Sequence, residues 1–339
     1  PMSSDQLHIA VAQTAPVLLD RIATTERVVQ WIDEAGRVFE RETDAADAAD
    51  AAIATSKGRL VAFGEAFIPG YPFWLCRTDA ARFLAPDQQA IHARYVAEGV
   101  TIEDGHLDAV RDAARRNRTA VVLGVMERPR DRGQTLYCSA VTILADGSIA
   151  SVHRKLMPTY EERLAWGIGD GHGLRAHRLG PFTLGSLNCW EHWMPLARAA
   201  LQAQGEDVHI ALWPGGERLT RDVTRFAALE GRSFVISAGG LLRPEDVPHD
   251  VPHRDDMLKA GETMFYDGGS AIAGPDGEWI VEPVVGEERL ITAVLDHARV
   301  PAQRQAFDPV GHYARPDVLQ LHVDRRRQAA ASFIDDDDR

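Results

Sequence analysis

Cys189 stands where an apolar run, Phe182 to Asn188, meets the segment Trp190-Glu191-His192-Trp193-Met194-Pro195, and proline favours the first turn of a helix. A cysteine at such a strand-to-helix turn lies near the positive end of the helix dipole. That position is expected to lower the thiol pKa and to offer backbone N–H groups to a developing negative charge. The chemistry it suggests is attack by a thiolate. The competing reading, a small buried hydrophobe, describes most free cysteines and fits Cys76 and Cys138, which lack this context.

A thiolate nucleophile needs a base and a group that stabilises charge. Among the 13 histidines, His192 is a candidate base by proximity and His153 by its strand-end position, but neither has a recognisable orienting partner. Glu65 follows the apolar run Leu60-Val61-Ala62-Phe63-Gly64 and opens a loop containing Pro69, Gly70 and Pro72. A carboxylate at the carboxyl end of an α/β strand sits where ligand clefts form, and burial there would raise its pKa and suit it to proton transfer. A strand-end surface carboxylate is the plainer alternative. Lys155 closes the basic triplet His153-Arg154-Lys155, where a lysine is ordinarily a solvated surface charge.

These residues need elements to hold them. Strand-like runs cover His8–Thr14, Arg59–Glu65, Ala120–Met126, Cys138–Leu144, Ser148–Arg154, Phe182–Asn188, His209–Trp213, Phe234–Ala238 and Arg289–Leu295. Helical spacing covers Ile22–Arg37, Asp104–Asn117 and Arg218–Arg232, the last with Leu219, Val223 and Phe226 on one face. Asp146-Gly147 and Asp276-Gly277 mark hairpins. Interleaved strands and helices with hairpins predict a mixed α/β sheet covered by helices. The Ala/Asp-rich stretch Arg41–Ser56 reads as a solvated helix extension or loop, and the acidic run Asp335–Arg339 as a disordered tail.

Composition narrows the classes. The 339-residue chain has 45% apolar and 26% charged residues and a formal charge of −13, which argues against broad binding to nucleic acid or anionic membrane. Three cysteines with no C-x-x-C pair are neither a disulfide framework nor a zinc motif. No apolar run reaches the roughly 20 residues of a membrane helix, and no secretory signal is visible at the start. A reducing cytoplasm is the expected compartment.

Three segments, taken together, resemble the nitrilase superfamily: Phe63-Gly64-Glu65 through Tyr71-Pro72, His153-Arg154-Lys155 through Trp166-Gly167, and Asn188-Cys189-Trp190-Glu191-His192-Trp193-Met194-Pro195. Their order and spacing match, a fourth stretch (Gly311–Val318) is similar, and Cys189-Trp190-Glu191 is similar to the nitrilase branch. The likeness covers about His8 to Val323. Gly64 departs from the proline that many superfamily members carry there, and the stretch 41–56 is longer than expected.

The resemblance implies a four-layer αββα sandwich: a disordered start over 1–7, a carbon–nitrogen hydrolase domain over 8–299, and a C-terminal extension over 300–339 involved in oligomerisation. It implies Cys189 as nucleophile, Glu65 as base, Lys155 as charge stabiliser and Glu162, rather than Glu161, as the residue that fixes Lys155. It also implies the Trp190 N–H as a donor and no metal or organic cofactor. Phe67, Tyr71, Trp166, His192 and Trp193 would wall the substrate pocket, with the Trp190 ring beside them. The implied activity is hydrolysis of a small nitrile to the acid and ammonia through a thioimidate and a thioester, by homodimers that assemble further. An amidase, or a cyanide- or nitrile-hydrating relative, would use the same residues. A non-catalytic scaffold has no need of all four, and a Cys/His protease would require His192.

Overall fold

The computed structural model describes residues 5–47 and 58–331. The first half contains β1 (Gln6–Gln13), α1 (Arg21–Asp47), β2 (Gly58–Ala62), α2 (Pro86–Ala97), α3 (Asp108–Asn117), β3 (Ala120–Glu127), β4 (Tyr137–Ile143) and β5 (Ile149–Arg154). There follow β6 (His177–Leu179), β7 (Phe182–Asn188), α4 (Pro195–Gln202), β8 (Val208–Trp213), α5 (Glu217–Gly231), β9 (Phe234–Gly239) and β10 (Leu241–Leu242). The chain continues with α6 (Arg254–Leu258), β11 (Tyr266–Ala273), β12 (Trp279–Val285), β13 (Arg289–Asp296) and α7 (Arg299–Arg304).

Two mixed sheets result. One runs β13-β1-β2-β3-β4-β5, with β1, β2 and β3 parallel. The other runs β10-β11-β9-β8-β7-β6 with β12 against β11, and β7, β8 and β9 are parallel. Strand side chains alternate between faces. In β1, Leu7, Ile9 and Val11 therefore enter the core between the sheets, where they meet Phe182, Ile210 and Phe234. Ala10 and Ala12 face outward onto Val28, Ile32 and Phe39 of α1 and Val110 of α3. Val223, Ala227 and Ala228 of α5 cover the outer face of the second sheet, and Leu201 of α4 packs on Leu187. The layers are therefore helix, sheet, sheet, helix, as the resemblance implied.

Several expectations shift. β1 begins at Gln6, and Leu7 is fully buried, so residues 6 and 7 belong to the sheet, while residues 1–4 lie outside the described residues. The expected helix at Asp104 begins at Asp108, because the short turn Ile102–Asp104 ends at Gly105 with φ +78°. α1 continues to Asp47, so the helical option holds for the first part of the stretch 41–56. Residues 48–56 of that stretch and the acidic tail lie outside the described residues. On α5 the apolar face was misplaced: Leu219 and Phe226 are exposed, while Thr220, Val223 and Thr224 are buried. The threonines can go inward because Thr224 Oγ1 donates to Thr220 O at 2.6 Å and shares a hydrogen bond of 2.6 Å with Ser237 Oγ.

Beyond α7 the chain runs without helix or strand to residue 331. It is held near its end, where Arg327 reaches Asp170 Oδ1 at 3.0 Å and Val152 O at 2.9 Å.

Candidate active site

The carboxyl ends of β2, β5 and β7 converge on one buried cluster. β2 ends at Ala62, so Glu65 belongs to the following loop rather than to the strand. Its N–H donates to Trp213 O at the end of β8, 2.9 Å away, which ties the two sheets together beneath it. Gly64 fits this crossing. A Cβ there would lie 2.8 Å from Trp213 O and 3.0 Å from Gly240 N, so a proline at this position has no room.

Lys155 follows β5 and is anchored on both sides: its N–H donates to Cys138 O at 2.7 Å, and its carbonyl accepts from Gly169 N–H at 2.9 Å. Its Nζ lies 2.9 Å from Glu65 Oε1 and 2.7 Å from Glu162 Oε2. Glu162 sits in the short turn Tyr160–Leu164. It accepts from Thr159 N–H at 2.7 Å through Oε2 and from Tyr71 O–H at 2.6 Å through Oε1. Glu161, its neighbour, is only half-buried, so Glu162 is the one that meets Lys155.

Cys189 starts a five-residue 3-10 turn with φ +45°, a left-handed backbone that non-glycine residues rarely adopt. Such strain is tolerated where surrounding contacts over-determine it, as at active sites. Its Sγ and one oxygen each of Glu65 and Glu162 lie within 4.8 Å of one another. Three donors at that spacing could hold a cation. Here the ammonium of Lys155 already stands between the two carboxylates.

Burial controls the protonation states. Glu65 is pushed up to about 7, chiefly by loss of water and further by the Glu162 charge, while Lys155 and the Cys138 thiol pull it down. Burial works against the charge on Lys155, but the acidic groups around it, Cys189, Glu65 and Glu162 foremost, hold its pKa well above the ordinary range. The Cys189 thiol is also well above its usual value, because of burial first and the Glu65 charge second. The expected helix-dipole lowering fails for a structural reason. α4 starts only at Pro195, six residues on, and the Lys155 ammonium and the Trp190 N–H together do not offset the burial and the carboxylate charges. One ammonium between two buried carboxylates leaves a net negative charge unless one proton is bound, and burying an uncompensated charge is costly. Among the described residues Glu65 Oε2 has no hydrogen-bond donor, so it is the oxygen able to take that proton.

The expected wall divides. Tyr71 joins Glu162, and the Trp166 ring lies 5.7 Å from Lys155 Nζ. Phe67 and Tyr71 line a narrow cleft beside Glu65, together with Leu18, Pro214 and Tyr266. His192 does not join them: it turns inward and hydrogen-bonds His209 at 2.8 Å. Trp193 and the Trp190 ring lie on the outside, 53% and 47% exposed. The tight turn, not an extended segment, sets these directions. His153 is not a base for Cys189 either, because its Nε2 bonds both oxygens of Glu191 at 2.9 and 3.0 Å.

Glu191 was missed as a site residue. It accepts from Asn188 N–H at 2.7 Å and from Leu156 N–H at 2.8 Å. It therefore clamps the Cys189 turn to the loop that carries Lys155. The pattern Asn188-x-x-Glu191 is a helix-start signature that could have drawn notice.

A carbon–nitrogen hydrolase family model matches residues 8–305. The chain belongs to that family. A carbon–nitrogen hydrolase such as this one has relatives that cover it almost end to end. "Nitrilase 2" from an unknown prokaryotic organism is 36% identical over 98% of this chain and 97% of its own. An "aliphatic nitrilase" from Rhodococcus rhodochrous is 32% identical over 98% of this chain and 83% of its own. Among solved structures, a carbon–nitrogen hydrolase from Helicobacter pylori G27 has a TM-score of 0.65 at 19% identity, covering 92% of this chain and 96% of its own. Saccharomyces cerevisiae Nit3 has a TM-score of 0.63 at 16% identity, covering 92% and 99%. Those structures bear on the fold. Among the described residues no helix is long and apolar enough to cross a membrane.

Proposed function

We propose that this hydrolase converts a small nitrile to its carboxylic acid and ammonia, with Cys189, Glu65, Lys155 and Glu162 as its catalytic groups. The observation that carries the reading is the ammonium of Lys155 held between two buried carboxylates within reach of the Cys189 sulfur. Glu65 takes the thiol proton as sulfur bonds to the nitrile carbon. The electron pair of the broken π bond goes to nitrogen, which Lys155 and the Trp190 N–H stabilise until it is protonated, giving a thioimidate. Glu65 then removes a proton from water, whose oxygen bonds to the same carbon. Nitrogen leaves as ammonia and a thioester remains. A second water, activated in the same way, releases the acid and returns the thiol. Two waters are consumed, and every proton moves through Glu65 or Lys155.

The narrow cavity beside Glu65, with Phe67, Tyr71 and Tyr266 on its walls, favours a small, largely apolar substrate. The test is release of ammonia, acid and amide from aliphatic, arylacetic and aromatic nitriles, beside Cys189→Ala. We expect acid and ammonia from the wild type and no turnover from a folded Cys189→Ala. Amide as the main product would replace this reading with nitrile hydration, and turnover by Cys189→Ala would end the assignment of the nucleophile.

A homodimer built on the outer helices also fits. Leu196 of α4 and Leu219 and Phe226 of α5 are 68%, 47% and 51% exposed, and large apolar side chains left exposed on the outer helices suit an interaction surface. Three free cysteines suit a reducing cytoplasm.

A further inference from the structure

Behind the Cys189 turn, on the side away from the proposed substrate, lies a chain of buried titratable groups that the mechanism does not use. His192 Nδ1 is 2.5 Å from Cys189 O, His192 Nε2 is 2.8 Å from His209 Nε2, and His209 Nδ1 is 2.7 Å from Glu206 Oε1. Glu206, His209 and His192 are all at least nine-tenths buried. The far end is built with care. Gly185 of β7 leaves the space that Glu206 fills, since a Cβ there would lie 1.9 Å from Glu206 Oε1. Arg304 of α7 donates to Glu206 O at 2.6 Å.

The hydrogen positions follow from the partners. A carbonyl oxygen only accepts, so His192 must donate from Nδ1. Neutral His192 then accepts at Nε2, and His209 must donate there. Burial, the neighbouring His209 and the Arg198 and Lys155 charges hold His192 well below its usual pKa, against the pull of the Cys189 carbonyl, so it is neutral. His209 Nδ1 faces Glu206 Oε1 at 2.7 Å, which fixes the ring so that its Nε2–H points at His192. The His209–His192 and His192–Cys189 links therefore both point toward the Cys189 carbonyl, and aligned links polarise one another.

The Cys189 carbonyl and the Trp190 N–H belong to one planar trans peptide and point in opposite directions. Pulling the oxygen inward aims the N–H outward, on the side of the Cys189 thiol, whose pKa it pulls down against burial. We propose that Glu206, His209 and His192 form a positioning relay that fixes and polarises the Cys189–Trp190 peptide, so that the Trp190 N–H stabilises charge on the sulfur and on the substrate. The relay also explains how a residue with φ +45° is held without glycine at that place. It rests on the proposed role of the Trp190 N–H in the reaction. None of the three is a catalytic residue, since each acts through the peptide.

The test compares His209→Leu, which breaks the middle link, with His209→Gln, whose amide can still donate to His192 Nε2. Three readings are taken on the full chain: kcat and KM for ammonia release from a nitrile, the rate of Cys189 alkylation by iodoacetamide, and the thermal melt. His209→Leu should lose on the order of 10- to 100-fold in kcat, less than the ~100- to 1,000-fold of deleting an oxyanion donor outright, with KM almost unchanged. Alkylation should slow with it, and His209→Gln should recover most of both. Activity of His209→Leu within about twofold of wild type, or equal losses in folded His209→Leu and His209→Gln, would overturn the relay. If His209→Leu does not fold, His192→Phe and His192→Asn carry the same comparison, with the asparagine amide donating to the carbonyl; equal activity in that pair would overturn it too. The alkylation arm needs no nitrile. A protein inert toward nitriles whose thiol reactivity still depends on His209 would end the nitrilase reading and leave the relay standing.

Discussion

Glu65 and Glu191 are both almost fully buried, yet they are built for opposite tasks. Loss of water raises the pKa of each. At Glu191 the His153 ring and the Leu156 and Asn188 N–H groups overcome that and hold the carboxyl below its ordinary value. At Glu65 the Lys155 ammonium is opposed by the Glu162 charge, and the balance rests at about 7. The difference lies in the partners rather than in depth. A carboxylate with donors on both oxygens is fixed as an anion. A carboxylate that shares its one cation with a second carboxylate, and keeps an oxygen free, can carry a proton back and forth.

The largest effect expected from this contrast is on rate. Glu65→Gln should lower kcat on the order of 10²- to 10⁴-fold, the range of a general base, and leave the thermal melt nearly unchanged. A folded Glu65→Gln with near-normal kcat would erase the distinction from Glu191.

Glu191→Ala should act on stability instead. It strands the Leu156 and Asn188 N–H groups and His153, at a cost of about 3–5 kcal/mol read by denaturant unfolding. A stable Glu191→Ala with activity lost would move Glu191 into the chemistry.

The pH dependence sharpens the contrast further. Activity should fall on the acid side as Glu65 takes a proton near pH 7, which a kcat/KM profile checks. Stability should respond with opposite signs. Glu65 binds its proton more tightly in the folded state than in the unfolded one, so from about pH 4.5 to 7 its contribution declines as pH rises and is flat above. Glu191 has a depressed folded pKa, so its contribution is present above the unfolded value of 4.5 and is lost as pH falls through the folded one. Melts across pH of Glu65→Gln and Glu191→Gln should therefore lose slopes of opposite sign.

The smallest effect is expected at Cys138, whose thiol donates to Glu65 Oε1 at 3.4 Å. Cys138→Ala should move the acid limb of the profile to higher pH, and Cys138→Ser, a stronger donor, to lower pH. A shift in the same direction for both would remove Cys138 from the balance at Glu65.

Much of this was legible in the sequence. Short apolar runs placed β7 and β8 at or within a residue of their bounds, because central strands are buried on both faces, between the sheets and under the helices. Three separated segments named Glu65, Lys155 and Cys189, and the structure brings them into one cluster with Glu162. Other features were not legible. Leu219 and Phe226 read as a core face, but α5 buries threonines whose hydroxyls find partners within the helix and in β9. His192 and Trp193 read as pocket walls, but a single left-handed residue at 189 rotated the turn and sent one inward and the other outward.

The sequence alone determined which residue types would meet and in what order along the chain, since motif spacing and hydrophobic period are properties of neighbours. Only the tertiary structure decided which protons move. The pKa of Glu65, the neutral Cys189 thiol and the inward carbonyl that His192 holds all depend on water excluded and charges brought close by distant segments. Those energies are set by three-dimensional distance and burial, which local sequence does not specify.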